Sequence, residues 1–353
     1  MKVYSNFKAF AYPDRIKAFS SGRLAAPIHV RIKPMNHCNH DCWYCAYRES
    51  NLQLGEDMNL RESIPEDKMH EIADDLIDMN VRAVTFSGGG EPLIYKPLPN
   101  IIEKLVSGGI KVGSLSNGSN LKGRVADVFV EYATWIRISI DAWDGTSYAR
   151  SRGVPESDFD KLISNIAEFT NRGSDCELGV SFIIDKNNSR HIFDVAKLLK
   201  NTGVRHVKLS GVVISNSGIE NNEYHNGFKK KVHEEIERAI ELNDSNFNVL
   251  DHYHDLDTRF DRSYTSCPTI QFTPVIGADC NVYTCQDKAY TETGKLGSIK
   301  NISLKDFWWS DDNNNRAFNI NPSIHCKHNC ANHQKNRIIT DFIGTSPDHM
   351  LFT

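Results

Sequence analysis

Short apolar runs and longer amphipathic stretches alternate along the first two thirds of this chain. The runs at 28–32, 82–86, 111–115, 135–140, 178–184 and 206–209 predict strands. Between them, the patterns at 66–79, 98–106, 125–132, 158–171 and 191–200 predict helices. Ile72, Leu76 and Met79 mark one buried helical face by their spacing. Strict alternation of strand and helix implies parallel strands joined by right-handed crossovers. Six units fall short of a closed eight-stranded barrel, so the expected fold is α/β, a partial (β/α)6 barrel. Beyond Gly211 the rhythm fades into a polar stretch at 215–223 and a charged helix at 228–242, and from Asp244 the chain is rich in Asp, Asn, His and Cys. We expect an N-terminal extension (1–26), a core (27–215), a connecting helix and polar loop (216–265), a small C-terminal domain (266–334) and a tail (335–353).

In parallel α/β folds, chemistry gathers at the C-terminal ends of the strands. Cys38 follows the first strand, Gly88–Pro92 the second, Ser116-Asn117-Gly118 the third and Asp141 the fourth.

Composition narrows the picture by exclusion. The 353 residues are 40% hydrophobic and 24% charged, enough for a large core, with a formal net charge of −4. That balance offers no electrostatic footprint for nucleic acid. Lys229-Lys230-Lys231 reads as the solvated face of a helix. Residues 1–19 carry Asp14 and Lys17 and no unbroken apolar core, and no run approaches the roughly 18 apolar residues of a membrane span. The expected location is the cytoplasm. There, nine cysteines point to metal ligands or catalytic thiols rather than to disulfides.

Three of those cysteines, Cys38, Cys42 and Cys45, lie within eight residues on a loop after a strand. They can converge on one metal centre. A cubane iron–sulfur cluster takes four protein thiolates when fully ligated, so three would leave one iron open. Structural zinc, with His37 or His40 as fourth ligand, is the alternative.

The segment from Cys38 to Cys45 resembles the radical SAM (S-adenosylmethionine) signature C-x3-C-x2-C, with Tyr44 as the aromatic residue before the last cysteine. Gly88-Gly89-Gly90-Glu91-Pro92 is similar to the family's GGE motif. The resemblance implies a 4Fe–4S cluster on Cys38, Cys42 and Cys45 that binds SAM. Tyr44 would pack against the adenine, and Gly88, Gly89 and Gly90 would let the backbone approach the methionine moiety. Glu91 would take its ammonium. Asn117, Ser139 with Asp141, and Arg152 resemble further cofactor contacts of the family, Arg152 as partner of the cofactor carboxylate. The resemblance covers 27–211.

Near the C-terminus stand Cys267, Cys280, Cys285, Cys326 and Cys330; Cys176 is expected to be a plain buried thiol. This region resembles the twitch domain, a shortened SPASM domain that holds one auxiliary 4Fe–4S cluster. The two hairpin strands are expected at 269–273 and 281–284, and the short helix at 304–309. Cys267, Cys285, Cys326 and Cys330 are the expected ligands, with zinc again the alternative. Cys280 is a spare thiol, a substitute for one of the four, or a catalytic hydrogen donor.

The resemblance implies reductive cleavage of SAM and hydrogen abstraction from a substrate carbon, fed by an electron donor such as flavodoxin or ferredoxin. An auxiliary cluster that accepts the substrate's electron gives dehydrogenation; a thiol that returns a hydrogen gives epimerisation. The polar run 251–255 suggests a small, sugar-like substrate. Fewer than 30 residues precede the first strand, too few for a domain that grips a leader peptide. A peptide maturase and a zinc-stabilised binding protein are the other two readings.

Overall fold

The computed structural model of the protein describes residues 4–49, 52, 54–253, 259–260 and 262–352. Its strands are β1 (His29–Ile32), β2 (Ala83–Phe86), β3 (Lys111–Ser116), β4 (Trp135–Ser139), β5 (Glu177–Ile184), β6 (His206–Gly211), β7 (Asn248–Asp251), β8 (Val275–Ile276), β9 (Asn281–Tyr283) and β10 (Lys295–Ser298). They form one sheet in the order β10-β9-β8-β1-β2-β3-β4-β5-β6-β7. Strands β1 to β7 run parallel to their neighbours, and β8 runs parallel to β1. Strand β9 pairs antiparallel with both β8 and β10. The fold is therefore α/β, with a partial barrel.

The six expected strands all form, and so do the expected helices, now bounded as Glu66–Asp78, Leu98–Ser107, Gly123–Tyr132, Ser157–Asn171 and Ile192–Asn201. Val30, Ile32, Ile136, Ile138, Val207 and Leu209 alternate along their strands and bury one face of the sheet. Ile72, Leu76, Leu105 and Ile166 belong to the same core, on the helices that cover it.

Two expectations need correction. The sheet has a seventh parallel strand, β7, whose sequence N-V-L-D is too short to announce itself. Pairing of Val249 with Val207 makes it a strand. Residues Thr269–Phe272 are a helical turn, not the first hairpin strand. Their β-branched residues favour extension, but Pro268 starts the turn at φ −56°. The Thr269 N–H donates to Asn336 Oδ1 at 3.0 Å. The hairpin is made by β8 and β9 instead.

The C-terminal region is fastened onto the first half of the chain. Trp308 Nε1 donates to the Ala25 carbonyl at 2.9 Å, and the Tyr290 hydroxyl donates to Asn36 Oδ1 at 2.5 Å. Because β8 pairs with β1, the C-terminal cysteines are carried next to the strand that leads to Cys38.

Candidate functional site

Cys38, Cys42 and Cys45 lie on the loop after β1, all partly exposed. Hydrogen-bond donors surround the sulfurs. The His40 N–H lies 3.4 Å from Cys38 Sγ, and Arg152 Nη1 lies 3.4 Å from Cys42 Sγ. Asn117 Nδ2 approaches Cys38 Sγ at 4.0 Å and donates to Asn39 Oδ1 at 2.9 Å. Burial pushes the Cys38 thiol up to about 11. A bound cation reverses that, because a thiol must lose its proton to ligate. Donors aimed at the sulfurs favour the charged form, so this set fits a metal centre.

Glycines at 88–90 are required by the chain itself. A Cβ on Gly90 would stand 1.9 Å from the His37 carbonyl oxygen, and one on Gly89 would stand 2.2 Å from Asn36 Oδ1. They let the strand end pack against the start of the cysteine loop.

Glu91 is buried, and its carboxylate already accepts three hydrogen bonds. Ser116 Oγ donates at 2.7 Å and the Leu93 N–H at 2.9 Å to Oε1, while the Asn117 N–H donates at 2.7 Å to Oε2. Burial raises its pKa, and these three donors oppose the rise. Glu91 thus ties the end of β2 to the end of β3.

Arg152 and Asp141 form a buried ion pair, Nη2 to Oδ2, of 2.5 Å. The Tyr44 hydroxyl donates to the same Oδ2, and the Ile183 N–H donates to Oδ1 at 2.5 Å. Asp141 holds this position with φ +57°, in the left-handed region. Burial works against the Arg152 charge, but Tyr44 and Asp141 raise its pKa well above the ordinary value. The guanidinium lies 5.6 Å from the Tyr44 ring. Tyr44, Arg152 and Asp141 are thus joined to Cys42 in one network. Ser139 ends β4 two residues before Asp141, on the strand face opposite Ile138.

Cys267, Cys285, Cys326 and Cys330 line one cavity, with Arg262, His328 and Asn336 among its other walls. Asn336 Nδ2 donates to Cys267 Sγ at 3.3 Å. Burial, then Asp287 and the other three thiols, drives the Cys285 thiol well above its usual range. Burial likewise takes Cys326 to about 11 and Cys330 to about 12. Four thiols that oppose each other's ionisation are a donor set suited to a cation. One side offers more: ligand atoms of Asp287, His328 and Cys330 lie within 4.8 Å of one another.

Cys280 is not brought to either set. It occupies the turn between β8 and β9 at φ +58°, its N–H donating to the Gly277 carbonyl at 3.0 Å. Its thiol packs into the main hydrophobic core. Cys176 is buried, as expected. Of the polar run, Asp251 ends β7 and Tyr253 is buried, while His254 and Asp255 lie outside the described residues.

Sequence reasoning missed Asp287 and His328, although each stands two residues from an expected ligand, Cys285 and Cys330. It also missed Arg31, Lys33 and Arg137, whose signal is the alternation H-V-R-I-K in 29–33 and W-I-R-I-S in 135–139. Among the described residues, no helix is long and apolar enough to cross a membrane.

Three thiols thus stand together on a loop at the C-terminal ends of parallel strands, beside a glycine turn and a buried Arg–Asp pair. Residues 32–199, just under half of the chain, match the family model of the radical SAM superfamily. A probable GTP 3′,8-cyclase of Metallosphaera sedula is 23% identical over 223 residues, 62% of this chain and 65% of the relative. An S-adenosylmethionine-dependent nucleotide dehydratase of Lacinutrix mariniflava is 30% identical over 107 residues, 30% of this chain and 22% of the relative. The matches therefore span less than two thirds of either relative. Among solved structures, SuiB of Streptococcus suis bound to S-adenosylmethionine shares the fold. Its TM-score is 0.62 at 16% identity, over 88% of this chain and 73% of that one.

Proposed function

We propose that this protein cleaves S-adenosylmethionine at a 4Fe–4S cluster on Cys38, Cys42 and Cys45 and oxidises a small, sugar-bearing substrate. Cys267, Cys285, Cys326 and Cys330 would hold a second 4Fe–4S cluster that takes up the substrate's electron. When bound and reduced by an external donor such as flavodoxin or ferredoxin, the first cluster supplies the electron that splits SAM into methionine and a 5′-deoxyadenosyl radical.

The chain's own residues set the conditions. Three thiols leave a ligand position open, whereas four close it. Arg152 and Asn117 orient the first set by donating toward Cys42 and Cys38. The Arg152–Asp141 pair braces that loop against the end of β4. The observation that carries the reading is the convergence of four cysteines from distant parts of the chain on one cavity, in a region joined through β8 to the strand that leads to the other three. A sugar-bearing substrate is supported by the two relatives, named for GTP and for nucleotides. Burial of Cys280 in the core removes the thiol that epimerisation would need, which favours net oxidation.

Asp287 and His328 beside Cys330 give structural zinc a specific foothold at the second set. Elemental analysis of anaerobically purified protein separates the two. About eight irons per chain with acid-labile sulfide supports two clusters. About four irons with one zinc would move the second set to a structural role.

A further inference from the structure

The inner face of the sheet is cationic where a parallel sheet is ordinarily apolar. Parallel strands covered on both faces usually read as unbroken apolar runs. Here Val30 and Ile32 of β1, and Ile136 and Ile138 of β4, lie in the main core. Side chains alternate along a strand, so Arg31 on β1 and Arg137 on β4 face the other way, and Lys33 directly follows the end of β1.

These cations have no carboxylate within ion-pair distance among the described residues. Arg31 Nη1 is buried without a hydrogen-bond partner, and so is Arg137 Nε. The Arg137 contact is a neutral one, Nη1 donating to the Tyr4 hydroxyl at 2.8 Å. Lys33 is fully buried, its Nζ donating to the Gly88 carbonyl and the Tyr47 hydroxyl. The groups also oppose each other. Burial lowers the pKa of Arg31, and Arg137 lowers it further. Burial and Arg31 together take Lys33 well below its ordinary value. The carboxylate whose field reaches them, Asp287, is also within reach of Arg259 and Arg262.

Arg31 and Arg137 are partly exposed, but a guanidinium nitrogen buried without an acceptor is costly to keep out of water. A fold that places two guanidiniums without a carboxylate partner beside Lys33 on one inner face is organised for a ligand of opposite charge. Arginine's planar fork matches the oxygens of phosphate, and more than one cation matches more than one negative charge. The location fits a substrate as well. The strand that carries Arg31, β1, leads into the loop of the first set on one side and pairs with β8 of the C-terminal region on the other.

We propose that Arg31, Lys33 and Arg137 form an anion cradle inside the barrel that takes the phosphate group of a sugar phosphate or nucleotide. The cradle deepens the substrate reading above and rests on it for the position of the substrate between the two thiol sets.

The test is calorimetric titration of anaerobically reconstituted protein with tripolyphosphate, ribose 5-phosphate and GTP. At least one should bind, more weakly at high salt. Arg31→Gln and Arg137→Gln should each weaken it about tenfold or more, the loss expected for a charged hydrogen bond. Binding of tripolyphosphate alone identifies a phosphate chain as the feature read. Selective binding of ribose 5-phosphate or of GTP identifies the sugar phosphate or the nucleotide. Arg31→Met should also raise the thermal midpoint of the ligand-free protein, because it removes a guanidinium nitrogen buried without an acceptor. A merely structural Arg31 would lower that midpoint on substitution. The cradle is wrong if none of the three ligands binds, or if both Gln variants bind as tightly as wild type. 5′-Deoxyadenosine formation by the same wild-type preparation tests the underlying reading separately. Cleavage without phosphate binding sinks only the cradle, and absence of cleavage sinks the radical reading itself.

Discussion

The two cysteine sets differ in how the chain assembles them. Cys38, Cys42 and Cys45 share one partly exposed loop, held from outside by Asn117 and Arg152. Cys267, Cys285, Cys326 and Cys330 come from distant points and meet only because the C-terminal region folds around them. A local set can be emptied while the fold survives. A distributed set cross-links its surroundings when filled, so its metal should contribute to stability as well as to chemistry. The first is suited to exchange a ligand at an open position, and the second to stay closed.

The sharpest break is the loss of the first set. Replacing Cys38, Cys42 and Cys45 together by Ala should abolish 5′-deoxyadenosine formation and remove about half the iron, with little change in thermal midpoint. Chromatographic detection of 5′-deoxyadenosine from that variant under dithionite would sink the assignment. Cys285→Ala should act the other way round. It should lower the thermal midpoint clearly and halve the iron, while uncoupled SAM cleavage persists. A midpoint equal to that of the triple variant would erase the contrast between the two sets.

Smaller effects test how the first loop is braced. Asp141→Ala leaves the Arg152 charge buried without its partner and should cost about 3–5 kcal/mol in urea unfolding. Glu91→Gln turns one acceptor oxygen into a donor facing its present donors, and should cost about 1.5–3 kcal/mol. A neutral result there would mean that the tie between β2 and β3 is replaceable. Cys280→Ala should be the mildest, at about 1 kcal/mol with all iron retained. Iron loss in that variant would return Cys280 to the ligand set.

The same contrast governs what could be read without a structure. The six strands and the first cysteine loop were legible because their signals are local: apolar periodicity, and three cysteines in eight residues. Cys285 and Cys330 could be grouped only by resemblance, since nothing in the spacing says that they share a cavity. The turn at 269–272 reads as a strand by propensity, and Pro268 with the bond from Thr269 to Asn336 overrules it. Glu91 and Arg152 were legible as residues of interest, but their partners within the protein, Ser116 and Asp141, depend on which strand ends become neighbours. Arg31 and Arg137 were hidden in plain strands, because a charged residue on an inner face becomes informative only when its own neighbours are known to offer it no carboxylate.

The most direct measurement is electron paramagnetic resonance of the dithionite-reduced Cys285→Ala protein, recorded before and after SAM is added. With only the open set filled, a single 4Fe–4S signal should remain, and SAM should shift it. In wild type, a second signal that SAM leaves unmoved should appear beside it. A remaining signal indifferent to SAM, or two signals in the variant, would contradict the division into one open and one closed set.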